Sequence, residues 1–401
     1  MRFRQRLAPR RPLSVWLARA AGALPVAVHL AVIGALSCAG CDRSPTPPPG
    51  GAVTTGASPL TPAPGASQPP VGDPVLAAAE LARGCERFTA GDLPAARVAF
   101  TAATTADPAC AAAFAWLGRS LVVSSQGMSF SRAIESLERA RALDPGLVEA
   151  HLDLALARFG LVEYEAARRH FTAYLAAAGA DAAPARRAAA HQHLAILARL
   201  DGDHATARAE LDHAAALAPG DPDLPYERGL TEEEAGDTAA ALTAYATALD
   251  LERNHLPSHF RRARLLRSLG RSGEAQQAER IHRALQSLFD DSTGRDLKDP
   301  RQRAEAWGEI AALDPLNRKA RFEQGRALLE LDRAAEAALV LDALVRDHPD
   351  YVDAHVFGID LALRRRDRAD AVRRVQALRV ALPAATREQL PAEMRPLWDS
   401  P

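Results

Sequence analysis

From residue 75 to about residue 385, apolar and small residues recur three and four positions apart. That is the spacing of one buried face of an α-helix. The stretches are short, and turn signals separate them. A compound pattern returns along this span: a small residue, a bulky apolar residue four places on, a small or apolar residue three places further, then proline. Ala96, Phe100, Ala103 and Pro108 show it first, followed by Ala133, Leu137, Ala140 and Pro145. Ala167 and Phe171 begin a third copy, and Ala207, Leu211, Ala214 and Pro219 form a fourth. Ala241, Tyr245 and Ala248 are a fifth. Ala337, Leu341, Leu344 and Pro349, then Ala371, Val375, Leu378 and Pro383, stand near the end. The intervals Ala207 to Ala241, Ala241 to Ala275 and Ala337 to Ala371 are each 34 residues.

Upstream of each copy lies a second helical stripe, such as Phe114, Leu117, Gly118 and Leu121, with Gly84, Gly229 and Gly325 at the place matching Gly118. Gly91, Gly202, Gly236 and Gly270 fall where the two helices of a pair must turn, and glycine accepts the left-handed backbone such a turn needs. Pro108, Pro145, Pro219, Pro315, Pro349 and Pro383 then stop second helices. These features resemble the tetratricopeptide repeat, a helix–turn–helix unit, over about residues 75–385. The resemblance implies an all-α, α-α superhelix (a solenoid), in which each pair buries its apolar face on its neighbours. The position often occupied by tryptophan in that family is here Phe114, His151, His191, Pro225, His259, Arg321 and His355, which predicts weaker first-helix packing in those pairs.

The ends read differently. Met1–Arg19 is basic and free of acids, and Ala20–Leu36 carries no charge, as in a secretory leader. It closes on Leu36-Ser37-Cys38-Ala39-Gly40-Cys41, which resembles the lipobox of bacterial lipoproteins and implies acylation of Cys41. Acylation at Cys38, a plain cleaved signal, and an uncleaved anchor are the alternatives. A redox role for Cys38-x-x-Cys41 would need a folded scaffold around it. Residues 42–74 hold ten of the 28 prolines and read as a disordered tether. The expected order is leader 1–41, tether 42–74, a block of about six repeats at 75–289, a polar break at 290–300, a block of two to three repeats at 301–385, and a capping helix with tail at 386–401. The expected location is the cell envelope, periplasm-facing and lipid-anchored, in either the inner or the outer membrane.

Composition narrows the chemistry. The chain has 88 alanines among its 401 residues, and only two lysines and two asparagines. Alanine is the best helix former. Charges nearly cancel at 49 basic against 50 acidic residues, and six of the arginines lie in the leader, so the rest is acidic. Such a chain is not expected to bind nucleic acid through its charge. No phosphate-binding glycine loop, dinucleotide fingerprint, zinc-protease helix, nucleophile elbow or calcium loop occurs. His191-Gln192-His193 and the His255/His259 pair are poor chelates, so neither a metal site nor a cofactor is expected. Cys85 and Cys110 are expected to be free thiols, because their repeat positions are too far apart to bridge.

The resemblance also implies a concave groove lined by first helices that accepts an extended peptide or a partner helix. Mapped onto this chain, the groove-facing positions are Leu152, Leu156, Gln192, Arg199, Tyr226, Glu233, Phe260, Arg264, Arg267, Phe322 and Arg326. Aromatic residues beside arginines suit an acidic segment or a terminal carboxylate. The arginines read equally as solvated helix faces. The sequence therefore points to a non-enzymatic interaction scaffold serving pilus, secretion, outer-membrane or polysaccharide-export assembly. The alternative is an enzyme, or an accessory subunit of an envelope enzyme, with its reactive groups on the concave face.

Overall fold

The computed structural model describes residues 72–124, 127–179, 182–290, 295–296, 299–381 and 395–398. Cys41, the leader and the tether as far as residue 71 lie outside them. The chain divides into two compact units, 1–220 and 221–401, so the polar segment 290–300 falls inside the second unit.

Among the described residues the first unit holds four helix pairs. They are α1 (Pro74–Thr89) with α2 (Leu93–Ala106), α3 (Ala111–Val123) with α4 (Gly127–Leu143), α5 (Val148–Gly160) with α6 (Tyr164–Ala177), and α7 (Pro184–Leu200) with α8 (His204–Leu217). Each helix packs on the next, and first helices also meet, α1 on α3 and α3 on α5. The second unit begins with α9 (Asp223–Glu234), α10 (Thr238–Leu251), α11 (Leu256–Ser268) and α12 (Ser272–Ser287). A two-residue antiparallel ribbon follows, β1 (Phe289–Asp290) with β2 (Arg295–Asp296), paired Phe289 to Asp296 and Asp290 to Arg295. Then come α13 (Pro300–Leu313), α14 (Arg318–Glu330), α15 (Ala334–Asp347), α16 (Val352–Arg364), α17 (Arg368–Ala381) and α18 (Arg395–Trp398). The ribbon stands where the period calls for a first helix, and it precedes α13, which has no hairpin partner upstream.

The small residues of the repeat sit at the helix crossings. Ala96, Ala133, Ala167, Ala207, Ala241, Ala337 and Ala371 are all buried, as are Phe100, Leu137, Phe171, Tyr245 and Leu341 four residues after most of them. The bulky residue fills space inside its own pair as well as toward the next. A Cβ built on Gly84 would stand 2.4 Å from the Phe100 ring, and one on Gly229 would stand 2.4 Å from the Tyr245 ring. Glycine in the first helix is therefore the socket for the aromatic in the second.

The turns follow the same economy. Gly91, Gly202, Gly236 and Gly270 have φ between 72° and 84°. An aspartate follows three of them and caps the next helix: Asp92, Asp203 and Asp237 accept the backbone N–H groups of Ala95, Thr206 and Ala240. Each cap contributes about 1 kcal/mol. Three hairpins lack the glycine but keep the conformation, with Val162 at φ 65°, Asp332 at 59° and Arg366 at 59°. At the far end, Leu397 of α18 is buried in a cluster with Ile359, Val375 and Leu378, and Trp398 packs beside it.

Candidate functional site

The second unit collects five of the groove positions read from the sequence on α9 and α11. Tyr226 and Glu233 are seven residues apart on α9, two helical turns, and so share a face. The Glu233 carboxylate accepts a hydrogen bond from the Tyr245 hydroxyl of α10 at 2.9 Å. It is also ion-paired with Arg264 and lies 3.6 Å from Arg261, both on α11. Burial, and then the charge of Glu233, push the Tyr245 phenol well above its ordinary range. Tyr226 lies 5.8 Å from the Tyr245 ring and meets His255 edge-on at 5.3 Å. Phe260 of α11 rests on the His282 ring of α12 at 5.4 Å and is still 43% exposed. Arg267, one turn beyond Arg264, pairs with Glu279 of α12.

This face is an apolar ring bordered by charges that the chain has already neutralised. The acidic-segment reading assumed open arginines, and both Arg264 and Arg267 hold a carboxylate of their own. A partner's acid must therefore exchange with Glu233 or Glu279. The arginines are the exposed partners, 54% and 65%, whereas Glu233 is only 15% exposed and keeps Tyr245 and Arg261 when Arg264 is exchanged.

The other groove positions are placed elsewhere. Phe322 on α14 is half-buried, edge-on to Tyr351 and Phe357 at 5.7 and 5.6 Å. Arg326 turns to Glu323 on its own helix at 3.3 Å. In the first unit Leu152 is only 2% exposed, inside a core cluster with Phe159, Phe171 and Leu197, so it packs the stack instead of facing a partner. Leu156 packs against the same cluster and is half-buried, as are Gln192 and Arg199 on α7.

The charged cluster that sequence reading missed is in the first unit. Arg119 of α3 donates through Nε to Asp153 of α5 at 2.8 Å, and Arg186 of α7 donates to the other oxygen of Asp153 at 3.2 Å. Glu149 of α5 pairs with Arg186 and lies 3.6 Å from Arg119. Arg119, Asp153 and Arg186 are all buried, and the Arg119 guanidinium lies over the Trp116 ring at 5.1 Å. Burial lowers the Arg119 pKa against the opposing pull of Asp153. The spacings, 34 and 33 residues, are one repeat each. A charge recurring at the repeat period, with alternating sign, was the signal available in the sequence.

The histidines at the former tryptophan position do more than weaken the packing. His259 and His355 are buried and donate through Nε2 to carbonyls six residues back, Arg253 at 2.8 Å and Pro349 at 2.9 Å. They tie each first helix to its own lead-in loop. Burial lowers the His259 pKa to about 4. In the first unit the equivalent histidines reach across the hairpin instead. His151 meets His170 of α6 at 3.1 Å between Nδ1 atoms, and His191 meets the Glu210 carboxylate of α8 at 2.7 Å. His193 donates to the Ala189 carbonyl at 2.8 Å. His255 bridges Asp223 at 3.0 Å and Ser258 at 2.7 Å. Among the described residues no group of three histidines, cysteines or acids is placed to hold a metal ion. Neither Cys85 nor Cys110 is in a disulfide among the described residues; Cys85 is buried and Cys110 half-buried. No helix among the described residues is long and apolar enough to cross a membrane.

Known proteins are similar to parts of this chain. The family model described as tetratricopeptide repeat matches residues 81–124 and 295–352. A TPR repeat-containing protein of Pseudomonas aeruginosa strain PAO1 is 32% identical over 122 residues, which is 30% of this chain and 46% of the relative. The match thus spans just under half the length of that relative. Among solved structures, a thermophilic TPR protein of Thermus thermophilus aligns at 23% identity and a TM-score of 0.37, over 47% of this chain and 98% of the other. The type IV pilus biogenesis factor PilW aligns at 19% identity and a TM-score of 0.44, over 51% of this chain and 90% of the other.

Proposed function

The chain is a tetratricopeptide-repeat protein, and on that premise we propose that it is a non-enzymatic scaffold. It is tethered to the cell envelope through an acylated Cys41, and it presents the α9–α11 face of its second unit to a protein partner. The observation that carries this reading is Phe260: an aromatic ring 43% exposed on a first helix, beside arginines whose carboxylates can be exchanged. An apolar side chain of the partner covers Phe260, and an acidic residue next to it takes Arg264 from Glu233. Aromatic anchors ringed by polar groups are where binding energy concentrates at interfaces. Assembly of a pilus, a secretion apparatus, the outer membrane or a polysaccharide exporter are all tasks such a scaffold could serve.

Two experiments test the proposal. A photo-crosslinking amino acid at position 260 of the full-length chain in its own membranes should yield a discrete adduct with one protein, and a diffuse smear or no adduct would refute the docking face. Metabolic labelling with a palmitate analogue should mark the chain and be lost in Cys41→Ser. Equal labelling of the variant would refute the anchor.

A further inference from the structure

A groove in the first unit has no role in the reading above. It is a cavity of about 570 Å³ between α2 and α4, with α3 as its floor, a volume in the range of ligand-sized pockets. Leu117 and Leu121 of α3 form the floor. Val98 of α2 stands at the rim, 67% exposed, an apolar side chain in water beside an apolar trough. The walls each bring one cation, Arg97 from α2 and Arg132 from α4. Neither has an ion-pair partner among the described residues, so both charges are open to a ligand in the groove. Along α2 the lining residues Pro94, Val98 and Thr101 recur four and three apart, so the groove follows that helix for two turns, about 10 Å.

We propose that this groove docks an amphipathic partner helix whose apolar stripe is flanked by acidic residues. Two turns of the stripe cover Val98 and Leu117, and carboxylates on its two sides meet Arg97 and Arg132. The charge pattern selects this occupant. A fatty acid brings a single carboxylate, whereas the two cations stand on opposite walls and call for two. The groove lies on second helices, so the proposal is independent of the α9–α11 face.

The test uses the full-length chain in detergent and two labelled 14-residue peptides, one of Glu and Leu at helical spacing and one in which Lys replaces every Glu. The Glu/Leu peptide should bind and the Lys/Leu peptide should not. Arg97→Glu/Arg132→Glu should weaken the first by at least about tenfold and admit the second, because close interfacial charges set partner choice. Val98→Asp should also weaken the Glu/Leu peptide about tenfold, and Phe260→Ala should leave it unchanged. All these side chains are exposed or half-buried, and far-UV circular dichroism confirms that the fold survives. Absence of Glu/Leu binding, binding indifferent to the charge reversal, or equal competition by dodecanoate would each overturn the proposal.

Discussion

The two units place the same residue types at the same repeat positions and use them differently. In the first unit, charges on successive first helices are closed inside: Arg119, Asp153 and Arg186 share one buried cluster across three helix pairs. In the second unit Arg264 and Arg267 stay at the surface, each paired with a carboxylate that is itself partly covered, Glu233 and Glu279. The histidines divide in the same way. His151 and His191 bridge the two helices of a hairpin, whereas His259 and His355 lock a first helix to its lead-in loop. The repeat thus dictates where a side chain stands, and the neighbours that pack around it dictate what it does. A closed ion cluster fixes one arrangement of three first helices, and an open one leaves its charges available for exchange.

The sharpest break of this contrast is Asp153→Ala, which removes the buried carboxylate that Arg119 and Arg186 share and leaves Glu149 alone to face both. It should cost about 3–5 kcal/mol, seen as a lower urea midpoint, while Glu233→Gln should cost about 1 kcal/mol or less. Equal effects at the two sites would remove the distinction. Next in size is an acid sensitivity at His259 of the second unit, a property burial gives His170 of the first unit as well. The folded pKa of His259, about 4, lies below its ordinary value of 6.5, so the unfolded chain takes up a proton first. Its contribution is complete above pH 6.5 and fades as the pH falls toward 4. At pH 4.5 wild type should have lost about 2–3 kcal/mol more than His259→Gln, measured by urea unfolding at pH 4.5 and 7. An identical pH dependence in the two proteins would show that burial of this histidine is not linked to folding.

Smaller effects sharpen the picture of the repeat itself. Gly229→Ala places a methyl group against the Tyr245 ring and should cost about 1–3 kcal/mol, with the Tyr245–Glu233 hydrogen bond loosened. The smallest change runs in the other direction. Val162 is β-branched and held at φ 65°, where other hairpins use glycine. Val162→Gly should raise stability by about 0.5–1 kcal/mol, read as a higher melting temperature, and a loss would mean that the side chain packs better than its exposed position indicates.

Much of this was legible in the chain. Ala96, Phe100 and Pro108 mark a second helix because close crossing, gap filling and helix termination each need one kind of residue. Gly91-Asp92 and Gly236-Asp237 mark a turn and the cap that follows it. The candidate surface was legible only as positions. Tyr226, Phe260 and Arg264 come together on the second unit, yet nothing in their spacing revealed that Glu233 already holds Arg264. Leu152 was read as facing a partner because an apolar residue on a first helix looks alike whether it lines a groove or a core.

The sequence by itself determined the period, the helices, the turns and the break before Pro300, because these depend on local propensity and on contacts one repeat away. Tertiary structure alone decided which charges are closed in and which face water, which carboxylate neutralises which arginine, and which loop each histidine ties down. Those outcomes depend on side chains brought together by packing, from 6 residues apart at the histidine ties to 34 at the buried ion cluster, and burial and distance there are properties of the packed stack.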